Sequence, residues 1–162
     1  MVVEWPEPVE RVAAYLRAAG AEARLEELAE ATGTAEQAAR AVGCRPAQIA
    51  KSLVFVCEGT TVVVLVPGDR RADPAKIAAA AGRSTARIAR PEEVEEATGF
   101  APGAVAPFPL PLVPRVFIDR KLLANKIVWV GAGSPTHLAA ITPQELVRLA
   151  RATPMDAVAE HT

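Results

Sequence analysis

Among the polar residues of this chain, Lys51 has the most informative surroundings. It falls between Ile49-Ala50 and the apolar run Leu53-Val54-Phe55-Val56. If the chain is extended there, Ile49, Lys51, Leu53 and Phe55 share one face. An ammonium on a core-facing row costs free energy unless something satisfies it. Two readings compete. The side chain snorkels to the surface from the start of a strand, or it sets a cation at the floor of a pocket, able to hold a phosphate, carbonyl or oxyanion. Thr98-Gly99-Phe100-Ala101-Pro102-Gly103 is the second candidate. Two glycines around a proline let backbone approach a ligand closely and can turn N–H groups inward. A helix C-cap followed by a rigid turn accounts for Gly99 equally well. Gly131-Ala132-Gly133-Ser134 poses the same choice, between a tight hairpin turn and a second backbone wall of a site. It lacks the spacing and the following helix of a phosphate-binding glycine fingerprint.

Other chemistries find less support. The histidines are His137 and His161, too few for a zinc set, so no metal is expected. A Ser–His–Asp triad would have to recruit His137, Asp119 and a serine such as Ser134, and nothing in their spacing encourages it. Cys44 and Cys57 have no second pair beside them, which reads as a reduced, cytoplasmic chain. Cys57 ends an apolar run and reads as a small hydrophobe. Gly68-Asp69-Arg70-Arg71 reads as a solvated turn, with its paired arginines alternatively receiving RNA backbone. The chain carries 18 basic and 19 acidic side chains, for a net charge of −1. A protein that holds nucleic acid mainly by neutralising phosphates would be basic, so any RNA contact must be local or brief, or must rest on shape and the terminal nucleotide. The longest apolar run, Val62–Val66, is strand-sized and far short of the ~20 residues that cross a bilayer. The acidic, proline-bearing start of the chain does not resemble an export signal.

The elements that must position these residues can be read from periodicity and punctuation. Pro8 to Ala19 is an amphipathic helix with Val9, Val12, Ala13 and Leu16 on one face and Gly20 at its end. Ala23–Leu28 fits strand or helix. Thr34 and Gln37 form a capping box that opens a helix closed by Gly43, and a short helical turn follows from Pro46 to Ala50. Ser52–Cys57 and Thr61–Pro67 are strands joined at Glu58-Gly59-Thr60, apolar enough that both faces must be covered. Asp73-Pro74 starts a helix ending near Gly82. Arg87–Ala89 is a short strand, and Pro91–Ala97 a helix finished by Gly99. Five prolines between residues 100 and 114 exclude helix or central strand there. Arg115–Ile118 and Lys126–Val130 resume as strands around a helical turn at Arg120–Leu123. A turn at Gly131–Ser134 leads to a strand over Thr136–Ile141. Thr142 and Glu145 make a second capping box for a helix running to about Ala152, and residues 153–162 read as a frayed tail. The whole reads as one α/β domain over residues 1–162, its core at about 8–152, with one mixed sheet and helices packed outside.

Several of these segments together resemble the YbaK family, free-standing relatives of the prolyl-tRNA synthetase editing domain. They are Thr34–Ala39, Gly43, Gln48–Leu53, Val66–Arg71, Thr98–Gly103, Ile118-Asp119 and the Gly131–Gly133 turn, in order and at similar spacings from about residue 8 to 158. The resemblance implies a compact α/β fold with a barrel-like mixed sheet and an aminoacyl-tRNA deacylase that uses neither metal nor organic cofactor. It implies that Lys51 lines the site and is needed for activity. It also implies that Gly99, Phe100, Pro102 and Gly103, with Gly131, Ala132 and Gly133, close around the 3′-terminal aminoacyl-adenosine. Aminoacyl-tRNA is the implied partner, with an aminoacyl-tRNA synthetase as a further one. Hydrolysis would proceed without a covalent intermediate, the water being activated by the tRNA's own terminal hydroxyl. The chain departs from its relatives at Ala104 and Ala132, which add methyl groups. It departs also near Gly131, where a histidine of the synthetase-embedded domains is missing, and at Leu138, where cysteine-specific members carry an aspartate. Those departures argue against cysteinyl specificity and leave a small residue such as alanine or serine.

Overall fold

The computed structural model describes residues 4–160, so Met1–Val3, His161 and Thr162 lie outside the description. Among these described residues, five α-helices and eight strands follow one another. Helix α1 (Glu7–Ala18) leads to β1 (Ala23–Glu27), α2 (Ala35–Val42), a 3-10 turn at Pro46–Gln48, and the hairpin β2 (Ile49–Cys57) and β3 (Thr60–Pro67). Then come α3 (Pro74–Ala80), β4 (Arg87–Ile88), α4 (Pro91–Thr98) and β5 (Arg115–Asp119). A 3-10 turn at Arg120–Ala124 precedes β6 (Val128–Ser134), β7 (His137–Ile141), α5 (Pro143–Ala150) and β8 (Ala152–Met155).

The strands form a single mixed sheet in the order β1-β7-β6-β2-β3-β5-β8, with β4 added to the free side of β2. The pairing path has two ends, β1 and β8, so the barrel-like sheet is open in its hydrogen bonding. The central hairpin shows why its sequence is apolar throughout. Val63 and Leu65 face one core, shared with Val12, Leu16, Phe100 and Phe108. Val62, Val64 and Val66 face a second, shared with Ile77, Phe117 and Met155. Burial on both sides leaves no solvated face on which polar residues could alternate.

Local signals account for the helix boundaries. Thr34 accepts from the Gln37 N–H while the Gln37 side chain accepts from the Thr34 N–H, a complete capping box. Thr142 accepts from the Glu145 N–H, but the Glu145 carboxylate turns to Arg148, so the second box is only half made. The segment Ala23–Glu27, open between two readings, is a strand paired antiparallel with β7.

Two expectations are corrected. Gly131–Ser134 is not a turn: it belongs to β6, with a bulge between Gly131 and Ser134, and the chain reverses at Pro135-Thr136. Residues 153–160 are not frayed, and α5 stops at Ala150 instead of Ala152. Arg151 adopts a left-handed conformation, and Ala152–Met155 becomes β8, parallel to β5. Ala157 and Val158 are then buried. The buried Asp119 carboxylate anchors this return, accepting from the Lys121 N–H at 2.9 Å and from the Ala157 N–H at 2.7 Å.

Candidate active site

The site begins where two parallel strands separate. β2 and β6 share only the pairs Ile49↔Trp129 and Ala50↔Val130 before they diverge. On the same side of β2, β4 covers Phe55 and Val56, and the Ala89 N–H reaches the Val54 carbonyl at 2.9 Å. Lys51, Ser52 and Leu53 therefore form a short uncovered stretch of strand edge. A cleft of about 490 Å³ opens there. Its walls come from the 32–38 segment at the start of α2, from Gly68, from Gly103 and Val105, and from Gly131 and Leu138. Backbone close to the ligand space is made possible by small residues. A Cβ on Gly131 would lie 2.9 Å from the Val105 carbonyl oxygen, and one on Gly68 would lie 2.6 Å from both Ala35 Cβ and the Pro46 carbonyl oxygen. These glycines let the main chain approach its neighbours more closely than any side chain would allow.

Lys51 is half-buried in this cleft, and its Nζ donates to the Arg70 carbonyl at 2.9 Å. Snorkelling is thus not its whole account: the ammonium is tethered to the loop after β3 and has further N–H donors to offer. Burial pushes its pKa below the ordinary lysine value; Glu36 and Asp69 oppose that shift and Arg71 adds to it. Between Glu36 and Arg71 the cation sits in a mixed field, half dry, where its interaction with a developing negative charge is stronger than in water.

The residues singled out from sequence do not all meet. Lys51, Gly103 and Gly131 line the cleft together. Gly99 and Phe100 face elsewhere: the Gly99 carbonyl accepts from Arg11 at 2.6 Å, the Arg11 guanidinium lies 4.7 Å from the centre of the Phe100 ring, and Phe100 is fully buried. This corner is stapled to α1. Ala132 is also fully buried, and Gly133 packs against the Pro8 carbonyl at the start of α1. Pro102 is exposed beside Gly103. Phe100, Ala132, Gly99 and Gly133 thus support the cleft from behind and do not form its walls. The triad's residues also separate. Ser134 Oγ lies 2.5 Å from His137 Nδ1, but His137 Nε2 meets Glu27 at 3.1 Å, while Asp119 caps a different element. His137 is buried and holds β1 to the β6–β7 hairpin through Glu27.

Ser52 was not visible as a site residue in the sequence. It lines the cleft, and its Oγ is buried with no hydrogen-bond partner among the described residues. A serine in a strand carries no positional signal; only the pairing register exposes it. A neighbouring hollow of about 480 Å³ lies between residues 28–32 and Gln37, Arg40 and Ala41, without a buried cation.

The fold and cleft define a class: a one-domain mixed-sheet protein whose ligand space lies at a parting of parallel strands, walled by glycine backbone and holding one half-buried lysine. The chain belongs to the aminoacyl-tRNA editing domain family, whose profile matches residues 29–149. A solved structure of a proposed trans-editing enzyme for prolyl tRNA synthetase superposes with a TM-score of 0.90 at 37% identity, covering 97% of this chain and 100% of that one. An uncharacterised protein of Bacillus subtilis strain 168, YwhH, is 38% identical over 121 residues, 74% of this chain and 76% of its own length. The proline–tRNA ligase of Nitratidesulfovibrio vulgaris strain DP4 is 36% identical over 106 residues, 65% of this chain but 18% of the ligase. The chain therefore corresponds to a small part of that synthetase. No helix among the described residues is long and apolar enough to cross a membrane.

Proposed function

We propose that this chain hydrolyses the ester of mischarged aminoacyl-tRNA in trans, acting in the cytoplasm on the 3′-terminal aminoacyl-adenosine of a proline tRNA charged with a small amino acid. The observation that carries the reading is Lys51: a half-buried, tethered ammonium in a cleft with Gly103 and Gly131, in a member of the editing-domain family. An ester is already activated, so orientation of water and stabilisation of the oxyanion suffice. Lys51 polarises or orients the aminoacyl carbonyl. The water oxygen adds to the acyl carbon, the acyl–oxygen bond to the ribose breaks, and a proton passes to the departing ribose oxygen. The tRNA's neighbouring hydroxyl orients that water, and no covalent enzyme intermediate forms. Ala35 and Ala38, with Leu138 and Ile49, offer an apolar end of limited width. Such a wall separates side chains differing by a methylene by about 1–3 kcal/mol, and Leu138 has no charge with which to hold a polar group. A synthetase that generates the mischarged tRNA is the natural partner.

Deacylation of a panel of charged tRNAs by wild type and Lys51→Ala tests this. Turnover of alanyl- or seryl-tRNA that disappears in the variant supports the reading. Retained binding with no turnover on any tRNA replaces it with a non-catalytic binding module, and turnover of small acyl esters alone replaces it with an esterase.

A further inference from the structure

The uncovered edge of β2 presents a hydrogen-bonding station that Lys51 does not supply. Glu58 and Gly59 both have positive φ, so the β2–β3 hairpin turns through two residues in the mirror-image type I geometry. The flanking pair Cys57↔Thr60 is then the hydrogen-bonded kind, and the pairs alternate from there. Phe55, Leu53 and Lys51 aim their N–H and C=O groups at β3. Val56, Val54, Ser52 and Ala50 aim theirs at the opposite edge. The Val54 carbonyl does so visibly, accepting from Ala89. Ala50 is met by β6. Ser52 falls between the two covers, since the β2–β6 ladder ends before a rung could form between its N–H and the Gly131 carbonyl. Its main-chain N–H thus faces the parting of the strands. Its side-chain Oγ, buried and unpartnered, belongs to a residue that itself lines the cleft.

Ser52 thus brings a main-chain donor to the opening and keeps a buried, unpartnered hydroxyl beside it, an arrangement with a chemical use. A buried hydroxyl without a protein partner forfeits a hydrogen bond, and such groups in native folds call for an explanation, a catalytic role or an ordered water among them. The geometry points to Ser52 as a catalytic residue in its own right: its N–H, together with its Oγ–H after rotation about χ1, receives the carbonyl oxygen of the scissile ester as it becomes an oxyanion. Lys51 approaches the same substrate from the neighbouring position, so charge and hydrogen bonds are delivered by adjacent residues of one strand. Ser52 forms no covalent bond. Water adds to the acyl carbon, and the charge developing on the carbonyl oxygen is held until the ribose oxygen leaves. This assignment rests on the deacylase reading above.

Alanyl-tRNA of the proline isoacceptor is the probe, with single-turnover rates measured for wild type, Ser52→Ala and Ser52→Thr. Losing one oxyanion donor costs about 100-fold in kcat or more, and the main-chain N–H stays behind, so Ser52→Ala is expected to lose about that factor with KM nearly unchanged. Its melting temperature should not fall, because an unpaired buried hydroxyl has been removed. Ser52→Thr, which keeps the hydroxyl, should recover most of the rate. A Ser52→Ala rate within about threefold of wild type, a loss confined to KM, or equal losses in both variants overturns the assignment. If wild type deacylates no tRNA, the deacylase reading falls, and Ser52 is judged by binding of the amide-linked analogue 3′-alanylamino-3′-deoxyadenosine. Weaker binding by Ser52→Ala then supports the station, and equal or absent binding overturns it.

Discussion

The contact between Gly131 and Val105 sets the width of the cleft, and Gly131→Ala tests that directly. The added methyl carbon would stand 2.9 Å from the Val105 carbonyl oxygen, where ordinary contact begins at 3.4 Å, so the two walls must part by about 0.5 Å. Neither wall moves freely. Gly131 is paired with Leu138 in β6–β7, and Val105 is followed by the buried Ala106 and Phe108. Overpacking of this kind costs about 1–3 kcal/mol, and each kcal/mol lowers the melting temperature of a chain this size by about 2–4 °C. A drop of roughly 4–8 °C is expected from the middle of that range. Because a 1 Å misplacement can cost about 100-fold in rate, half of that should cost about tenfold. Gly82→Ala is the control. Gly82 follows α3, has φ +71° and nothing within 4 Å of a built Cβ, so the left-handed backbone costs about 1–2 kcal/mol without moving a wall. Thermal denaturation and single-turnover deacylation are read on both. If Gly131→Ala melts lower yet keeps the wild-type rate, or if Gly82→Ala loses rate equally, the width argument is refuted.

Lys51 also makes stability and activity depend on pH. Its folded pKa lies below the unfolded value, so between the two the unfolded chain binds more protons and stability rises with pH across that window. Lys51→Met should flatten the rise in denaturant titrations above neutrality. Activity that needs the ammonium should fall at a lower pH than an unperturbed lysine would dictate, in rates corrected for spontaneous ester hydrolysis. Asp119→Ala removes the acceptor for two main-chain N–H groups, one on each side of the β8 return. A loss of about 2–4 kcal/mol in urea unfolding is expected, whereas an incidental role predicts almost none. Ending the chain after Arg151 deletes β8 and the buried Ala157 and Val158; it should lower the melting temperature strongly, where removal of a frayed tail would leave it unchanged.

Much of the fold was legible because its signals are local. Capping residues, proline at first helical turns and the doubly apolar hairpin each reflect the backbone's own requirements. The misreadings share a cause. Gly131-Ala132-Gly133-Ser134 has the composition of a turn, but its small residues serve close packing, against Val105 at one point and Pro8 at another. Ala152–Met155 contains Pro154 and reads as coil, yet β8 is the last strand of the sheet, and a proline is tolerated there because its missing N–H needs no partner on an open side. At the site, Lys51 stood out because a cation in an apolar run is costly. Ser52 did not, since its significance depends on which strand edge β6 leaves uncovered, and that follows from pairings over long sequence separations.

The C-terminal return has a consequence in time. The Ala159 N–H bonds the Arg71 carbonyl, Lys76 Nζ bonds the Val158 carbonyl, and the Asp73 N–H bonds the Ala157 carbonyl, so residues 157–159 brace the loop whose Arg70 carbonyl tethers Lys51. On the ribosome every wall of the cleft, from Thr32 to Leu138, is translated before that brace. The walls of the cleft thus precede in the sequence the residues that brace the loop holding its lysine. The placement of Lys51 is therefore settled only once residues 157–159 have joined that loop.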